Sequence, residues 1–209
     1  LPPHITAATA MDAMTHATEA FTCMAKNPLS DAYATAAVKK ISTSLLQVMD
    51  NPKDSDGRLE LAQASTMAGI AFSNSMVGLV HALGHATGAI CHLPHGLCMS
   101  LYLPYVLEYN LESIRAPLGE LLLYLEGPDV YSATPASRRA EASISALRKL
   151  RDELHKRCKL PRTLKETGSV EEHQLDTIAE MAMDDGAMMF NPKEVSLEDA
   201  RAVLKRAWA

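Results

Sequence analysis

Long apolar runs and clusters of basic residues are both missing from this sequence. No segment reaches the ~18 consecutive apolar residues of a membrane span, and the start, Leu-Pro-Pro-His, lacks the basic region and apolar core of a signal peptide. The 20 Lys and Arg residues are dispersed, and the formal net charge is -5. We therefore expect neither a membrane nor a nucleic acid as a partner.

Cysteine is scarce, and its spacing carries no motif. The four cysteines lie far apart and form no C-x-x-C pair. This speaks against a secreted disulfide framework and against a zinc ribbon, and it favours a reduced, cytoplasmic setting. We expect the cysteines to act as small apolar residues in the core.

Strand patterns are also absent. No alternating run rich in β-branched or aromatic residues is found, and no Gly-x-Gly-x-x-Gly follows a strand, so nothing here can form a dinucleotide-binding βαβ unit. The apolar periodicity is helical almost throughout. With 209 residues, 47% of them hydrophobic, the chain can close one substantial core. We predict an all-α fold and a single domain spanning residues 1–209.

The helix boundaries follow from caps, prolines and glycines. The Ala-rich stretch from Arg58 is predicted to form one long helix that is buried on most of its surface, and Ser169 with Glu172 is predicted to form a capping box. Thr134 is predicted to cap the helix that begins at Pro135. The predicted helices are Thr9 to Met24, Ser30 or Asp31 to Met49, Arg58 to His85, Gly96 to Tyr109, Leu111 to Glu126, Pro135 to Cys158, one from Ser169 to about Gly186, and a last one opened by Ser196 and Asp199.

Four of the eight histidines fall within fifteen residues, between His81 and His95. His81 and His85 are four residues apart, so their imidazoles share one face of a helix. Gly84, Gly88 and Pro94 would then allow the chain to turn back and bring His95 to the same point. This segment can supply half of a metal site.

Asp12 and His16 could supply the other half, because they are again one helical turn apart. Imidazoles combined with one carboxylate suit Zn²⁺ or Fe²⁺, whereas Mg²⁺ and Ca²⁺ need mostly oxygen ligands. The spacing alone does not show that the two motifs meet. A histidine bonded to a carbonyl in a helical core is the alternative.

The order of these motifs resembles the C-terminal domain of iron-containing alcohol dehydrogenases, a family of the dehydroquinate synthase-like type. The similarity covers essentially the whole chain, and its motifs are specific as a set. They are Leu-Pro-Pro-x-Ile-x-Ala-Ala-Thr-x-Met-Asp12-Ala-Met-Thr-His16-Ala-x-Glu19-Ala, His81-Ala-Leu-Gly-His85, Pro94-His95-Gly96, Leu103-Pro104-Tyr105-Val106 with Tyr109-Asn110, Leu160-Pro161-x-x-Leu164, and Ala182 to Asn191-Pro192-Lys193.

The resemblance implies a role for each candidate residue. The metal ligands would be Asp12, His16, His81 and His95, holding Fe²⁺ or Zn²⁺. His85 would then be no ligand but a catalytic residue near the nicotinamide that helps to move protons. Ile5 would touch the coenzyme.

The resemblance also implies an enzyme that interconverts alcohols and aldehydes with NAD or NADP, as part of a homo-oligomer. Its N-terminal α/β domain would bind the coenzyme, and we expect this chain to be the metal-binding C-terminal domain of such a protein. Two alternatives stay open: a relative resembling glycerol dehydrogenase, and a metal-binding helical domain without turnover. A catalytic site would keep one coordination position open for substrate, whereas a structural site would be saturated.

Overall fold

The computed structural model describes all 209 residues and contains helices and turns but no β-strand. The predicted all-α fold is confirmed. No helix combines the length and the apolar character that crossing a membrane requires. The α-helices are α1 Pro3–Thr22, α2 Pro28–Asp50, α3 Ser55–Ser73, α4 Leu79–Cys91, α5 His95–Glu126, α6 Pro128–Ala133, α7 Arg139–Cys158, α8 Leu175–Met183 and α9 Leu197–Trp208. Short 3-10 helices occupy Ala136–Arg138, Lys165–Thr167, Glu172–Gln174 and Gly186–Phe190.

Helix α1 is the central element and packs against α2, α3 and α5. Of its 20 residues, 13 are buried, and many of these are alanines that allow the neighbouring helices to approach closely. Thr15, Thr18 and Thr22 are buried too, and each donates its hydroxyl to the carbonyl four residues earlier at 2.8 Å. This helix can therefore carry polar side chains through the core without leaving hydroxyl groups unpaired.

The predicted long helix from Arg58 to His85 is wrong, because the chain breaks between α3 and α4. Asn74 ends α3 and donates its amide to the Ile70 carbonyl at 2.8 Å, and Met76 has a φ of 95°. The Ala-rich pattern continues up to this break and gives no sign of it. The one local indication of a helix end was Asn74, a residue common at that position. The predicted burial is wrong for α3, where only 4 of the 19 residues are buried, but it is right for α4, where 9 of the 13 are.

The two helices predicted on either side of Asn110 are one continuous helix, α5, which includes Pro104 and Pro117. Asn110 is buried inside it and exchanges two hydrogen bonds with the Asn191 side chain, at 2.8 and 2.9 Å. A buried amide with such a partner does not need to end a helix.

Other boundaries also moved. Thr134 is not the N-cap of a long helix, because α7 begins only at Arg139; it is instead the C-cap residue of the short α6, and its hydroxyl donates to the Val130 carbonyl at 2.7 Å. The capping box predicted at Ser169 and Glu172 is formed instead by Glu171 and Gln174. Helix α1 begins six residues earlier than predicted, with Pro3 in its first turn, a position that suits the fixed φ of proline.

The last helix and the cysteines agree with the predictions. Ser196 and Asp199 form the capping box that opens α9. All four cysteines are free, and three of them are buried. Burial raises the pKa of the Cys98 thiol to about 12, so this side chain packs as a neutral apolar group.

Candidate metal centre

Three helices bring polar side chains to one point. Asp12 and His16 lie one turn apart on α1, His81 lies in the first turn of α4, and His95 is the first residue of α5. One ligand atom from each of these four residues lies within 4.8 Å of the others. The structure therefore brings together the four residues predicted as metal ligands, and we call them the four-residue cluster.

The turn that returns His95 to the cluster is shorter than expected. His92 ends α4 in the left-handed region, with a φ of 56°, and Pro94 precedes the first turn of α5. Gly84 and Gly88 were expected to help this turn but lie inside α4. Gly84 instead makes room for a neighbour, since a Cβ there would collide with the Met99 side chain.

Gly96 explains why glycine follows His95. A Cβ at this position would lie 2.5 Å from the Ala8 carbonyl oxygen, 2.9 Å from the Ala8 carbonyl carbon and 3.3 Å from Asp12 Cβ. Backbone atoms of α1 cannot move aside as the end of a flexible side chain can. The missing side chain therefore sets the close approach of α1 to α5, and with it the approach of Asp12 to His95.

We expect Gly96→Ala to lower the stability of the fold by ~1–3 kcal/mol, because the new methyl group overpacks the contact between α1 and α5. The new methyl group should also push α1 and α5 apart, which moves Asp12 away from His95 and weakens metal binding. The matched control is Gly69→Ala in α3, where a Cβ meets nothing within 4 Å. That change should stabilise the helix by ~0.5–1 kcal/mol and leave metal binding intact. Denaturant unfolding and Zn²⁺ titration measure both effects, and equal behaviour of the two variants would contradict the packing argument.

Burial and neighbouring charges shift the pKa values of three side chains of the cluster in different directions. The His16 ring stacks on Phe72, with centroids 4.4 Å apart, and burial together with the nearby His81 lowers the pKa of His16 to about 4. His16 is thus neutral near pH 7, as a ligand has to be. Burial works to raise the pKa of Asp12, but His95, His16 and His81 together hold it below its ordinary value. The contact with Asp12, 3.2 Å between His95 Nε2 and Oδ1, raises the pKa of His95.

One buried polar atom of the cluster has no hydrogen-bond partner: Nε2 of His81, a residue that is only 2% exposed. A second, Oδ1 of Asp12, lies 3.2 Å from His95 Nε2 but makes no well-aligned hydrogen bond. Such atoms are rare in folded proteins and call for an explanation. Three imidazole nitrogens and one carboxylate oxygen form a donor set that suits Zn²⁺ or Fe²⁺. The residues present thus fit a divalent cation.

His85 lies beside the cluster and belongs to a different arrangement. Its ring stacks on His95, with centroids 5.3 Å apart, and its Nδ1 lies 2.8 Å from Asp185 Oδ2. The side chain is 45% exposed. Asp185 also accepts the Ala187 N–H at 2.8 Å. Burial works to raise the pKa of Asp185, but this N–H and His85 outweigh it and keep the pKa low.

A cleft of about 570 Å³ opens directly at the cluster. Asp12 and His95 form part of its wall, together with His4, Ile5 and Lys159. Ile5, the predicted coenzyme contact, is 38% exposed and thus available to a ligand in this cleft. The cluster is buried on the side of His81 and open on the side of His95.

Comparison with known proteins identifies the family of the chain. The model of the Fe-containing alcohol dehydrogenase family, C-terminal, matches residues 6–208. The chain belongs to the iron-containing alcohol dehydrogenase family. The expected membership is confirmed, and the helical fold is that of the C-terminal half of the family's proteins.

Individual members of the family show the same extent of similarity. Alcohol dehydrogenase 4 of Saccharomyces cerevisiae is 37% identical over 210 residues, which cover 100% of this chain and 52% of that protein. NADPH-dependent butanol dehydrogenase of Clostridium saccharobutylicum is 31% identical, with 98% and 51% covered. A crystal structure of 1,3-propanediol oxidoreductase superposes with a TM-score of 0.93 at 32% identity, with 100% and 53% covered. The chain spans about half the length of the relatives it matches.

Two residues of the site were missed in the sequence. Glu19 contacts His81, and its signal was available: it continues the series Asp12, His16 on the same face of α1, three residues further on. Asp185 contacts His85 from a position 100 residues away. No spacing rule links these two, and Asp184 beside it is the same residue type.

Proposed function

We propose that this chain is the metal-binding part of a metal- and NAD(P)-dependent alcohol dehydrogenase that interconverts small alcohols and aldehydes. The observation that carries the proposal is the meeting of Asp12, His16, His81 and His95 within 4.8 Å, next to an open cleft whose wall includes Asp12 and His95. The proposal is supported by relatives that are named as alcohol dehydrogenases. Two of them are the NAD-dependent methanol dehydrogenase of Bacillus methanolicus and the 1,3-propanediol dehydrogenase of Citrobacter freundii.

Different residues of the chain would bind the metal, transfer the proton and contact the coenzyme. The four-residue cluster would hold Fe²⁺ or Zn²⁺, and the cation, when bound, makes the hydroxyl of an alcohol more acidic. His85 is half-exposed, lies beside His95 and is oriented by Asp185. It would take up the proton that the alcohol loses and pass it to solvent. Ile5, which lines the same cleft, would contact the coenzyme.

The hydride acceptor would be bound by a second part of the enzyme. The relatives are about twice as long as this chain, and an α/β nucleotide-binding domain preceding Leu1 would supply the NAD or NADP site. We further propose that the complete enzyme is a homo-oligomer of the cytoplasm. Whether NAD or NADP is used depends on residues of that other domain.

The test is an alcohol-oxidation assay on the complete enzyme, purified anaerobically and stripped of metal with a chelator. Turnover of a primary alcohol with NAD or NADP should vanish on stripping and return with Fe²⁺ or Zn²⁺. Zinc binds nitrogen and oxygen ligands more tightly than ferrous iron, so aerobic preparations should contain zinc. Metal analysis before and after reloading gives the occupancy.

Other outcomes would identify other functions. Tight metal binding without turnover of any alcohol would identify a non-catalytic metal-binding domain. Turnover restricted to glycerol would identify a relative of glycerol dehydrogenase. Alcohol oxidation that persists in metal-free protein would contradict the proposal.

A further inference from the structure

A buried carboxylate that contacts His81 lies outside the four-residue cluster. Glu19 on α1 is only 5% exposed, and its Oε2 lies 2.5 Å from His81 Nδ1. Placing a carboxylate inside an Ala-rich core is costly unless its oxygens are fully paired. Glu19 therefore needs a reason to be there, and the proposed chemistry of the cleft does not use it.

Both oxygens of Glu19 are engaged with α4. Oε2 faces His81, and Oε1 accepts the Val80 N–H at 2.8 Å. Gly78, at the start of α4, has no side chain to cap the helix. Glu19 pairs one of the free N–H groups of this helix end, and Asn191 Oδ1 pairs the adjacent one, on Leu79, at 3.3 Å.

An ionised carboxylate accepts hydrogen bonds and donates none. The proton of a neutral His81 ring must therefore sit on Nδ1, where it points at Glu19. Nε2 is then left with a bare lone pair, and it is this atom that is buried without a partner. Histidine ligands of metals are commonly held in this way, with the second nitrogen donating to a carboxylate.

We infer that Glu19 is a positioning residue that fixes His81 in its Nδ1–H tautomer, with Nε2 free to bind the cation, while capping α4 with its other oxygen. The inference rests on the proposed function for the identity of Nε2 as a metal-binding atom. The tautomer itself is a property of the metal-free protein.

Glu19→Gln separates this role from simple packing because glutamine has nearly the same shape. A carboxylate accepts from both Val80 N–H and His81 Nδ1–H, whereas an amide has one acceptor oxygen and one donor NH₂ group. If the oxygen faces Val80, the NH₂ group faces His81 Nδ1 and favours the tautomer whose Nε2 carries the proton and cannot bind metal. If the amide flips, its NH₂ group faces the Val80 N–H, and two hydrogen-bond donors then lie opposite each other with no acceptor.

The experiment uses the complete enzyme, stripped of metal, and has two measurements. Nitrogen NMR of His81 in the metal-free protein should show Nδ1 protonated in the wild type and a shift towards Nε2–H in Glu19→Gln. Competitive Zn²⁺ titration should show Kd rising ~10–100-fold in the variant, as for other residues that support metal-binding histidines.

The control is Asn191→Ala, which removes the other side-chain cap of α4, together with the buried pair that Asn191 forms with Asn110, without touching His81. It should lower the melting temperature and leave both the tautomer and the Zn²⁺ affinity close to wild type. If Asn191→Ala does not fold, the tautomer of His81 in Glu19→Gln decides alone. Wild-type affinity in Glu19→Gln, or a wild-type ring protonated on Nε2, would overturn the inference while leaving the proposed function intact. A wild-type protein that binds no Zn²⁺ or Fe²⁺ would overturn the proposed function.

Discussion

Replacing His81 with alanine is expected to abolish metal binding, whereas replacing His85 with alanine should leave the metal in place and slow turnover. His81 is buried, is held by Glu19, belongs to the four-residue cluster and has an unpaired Nε2. Its loss should weaken binding by more than the ~10–100-fold expected for a residue that only supports a ligand. His85 is outside the four-residue cluster, so its loss should cost only proton transfer, ~10²–10⁴-fold in turnover.

The measurement combines metal analysis of each variant with steady-state kinetics of the complete enzyme. His173→Ala is a suitable control, since His173 is exposed, belongs neither to the four-residue cluster nor to the cleft, and would reveal adventitious zinc bound at surface histidines. Equal loss of metal in the His81 and His85 variants would show that His85 is a ligand. Full metal content with normal turnover in His85→Ala would show that His85 does not take part in proton transfer.

The part of the site that could be predicted is the part encoded by helical spacing. Asp12 and His16 are separated by four residues, and a helix converts that spacing into a shared face whatever surrounds it. The cluster of histidines from His81 to His95 could be interpreted in the same way. Glu19 obeys the same rule but was not assigned a role, because a Glu on a helix is usually solvated, and only the structure shows that this one is buried.

The remaining contacts depend on tertiary packing. Asp185 reaches His85 because α8 packs against α4 and the following 3-10 helix lies beside it. Gly96 is informative only when Ala8 is known to lie against it. No local pattern encodes these distances, since they depend on how three helices settle against one another.

The helix boundaries, too, could be predicted where local residues set them and were missed where tertiary contacts do. The capping box of Ser196 and Asp199 was found because its residues bond to each other locally. The break after Asn74 and the continuity of α5 through Asn110 were both missed. In α5, the buried Asn110 finds its partner in Asn191, 81 residues later, and this long-range pair removes the need for a helix end.

The 209 residues by themselves are expected neither to bind NAD or NADP tightly nor to oxidise alcohols, whereas the same residues joined to a nucleotide-binding α/β domain should do both. A dinucleotide needs backbone N–H groups and a helix N-terminus aimed at its pyrophosphate, usually from a strand-loop-helix unit, and this structure has no strand. At the start of α4, whose first turn holds His81, the N–H groups of Leu79 and Val80 are already paired with Asn191 and Glu19.

Titration calorimetry of the metal-loaded chain with NAD and NADP measures this directly, with the complete enzyme as the positive control. A micromolar complex corresponds to roughly 8 kcal/mol of binding free energy, and we expect far less from the chain alone. In the chain alone the coenzyme could contact Ile5 and the cleft at His95, but no strand-loop-helix unit would hold its pyrophosphate. A micromolar Kd, or NADH formed by the chain in the presence of an alcohol, would mean that the coenzyme site lies within these helices and that the proposed division between two domains is wrong.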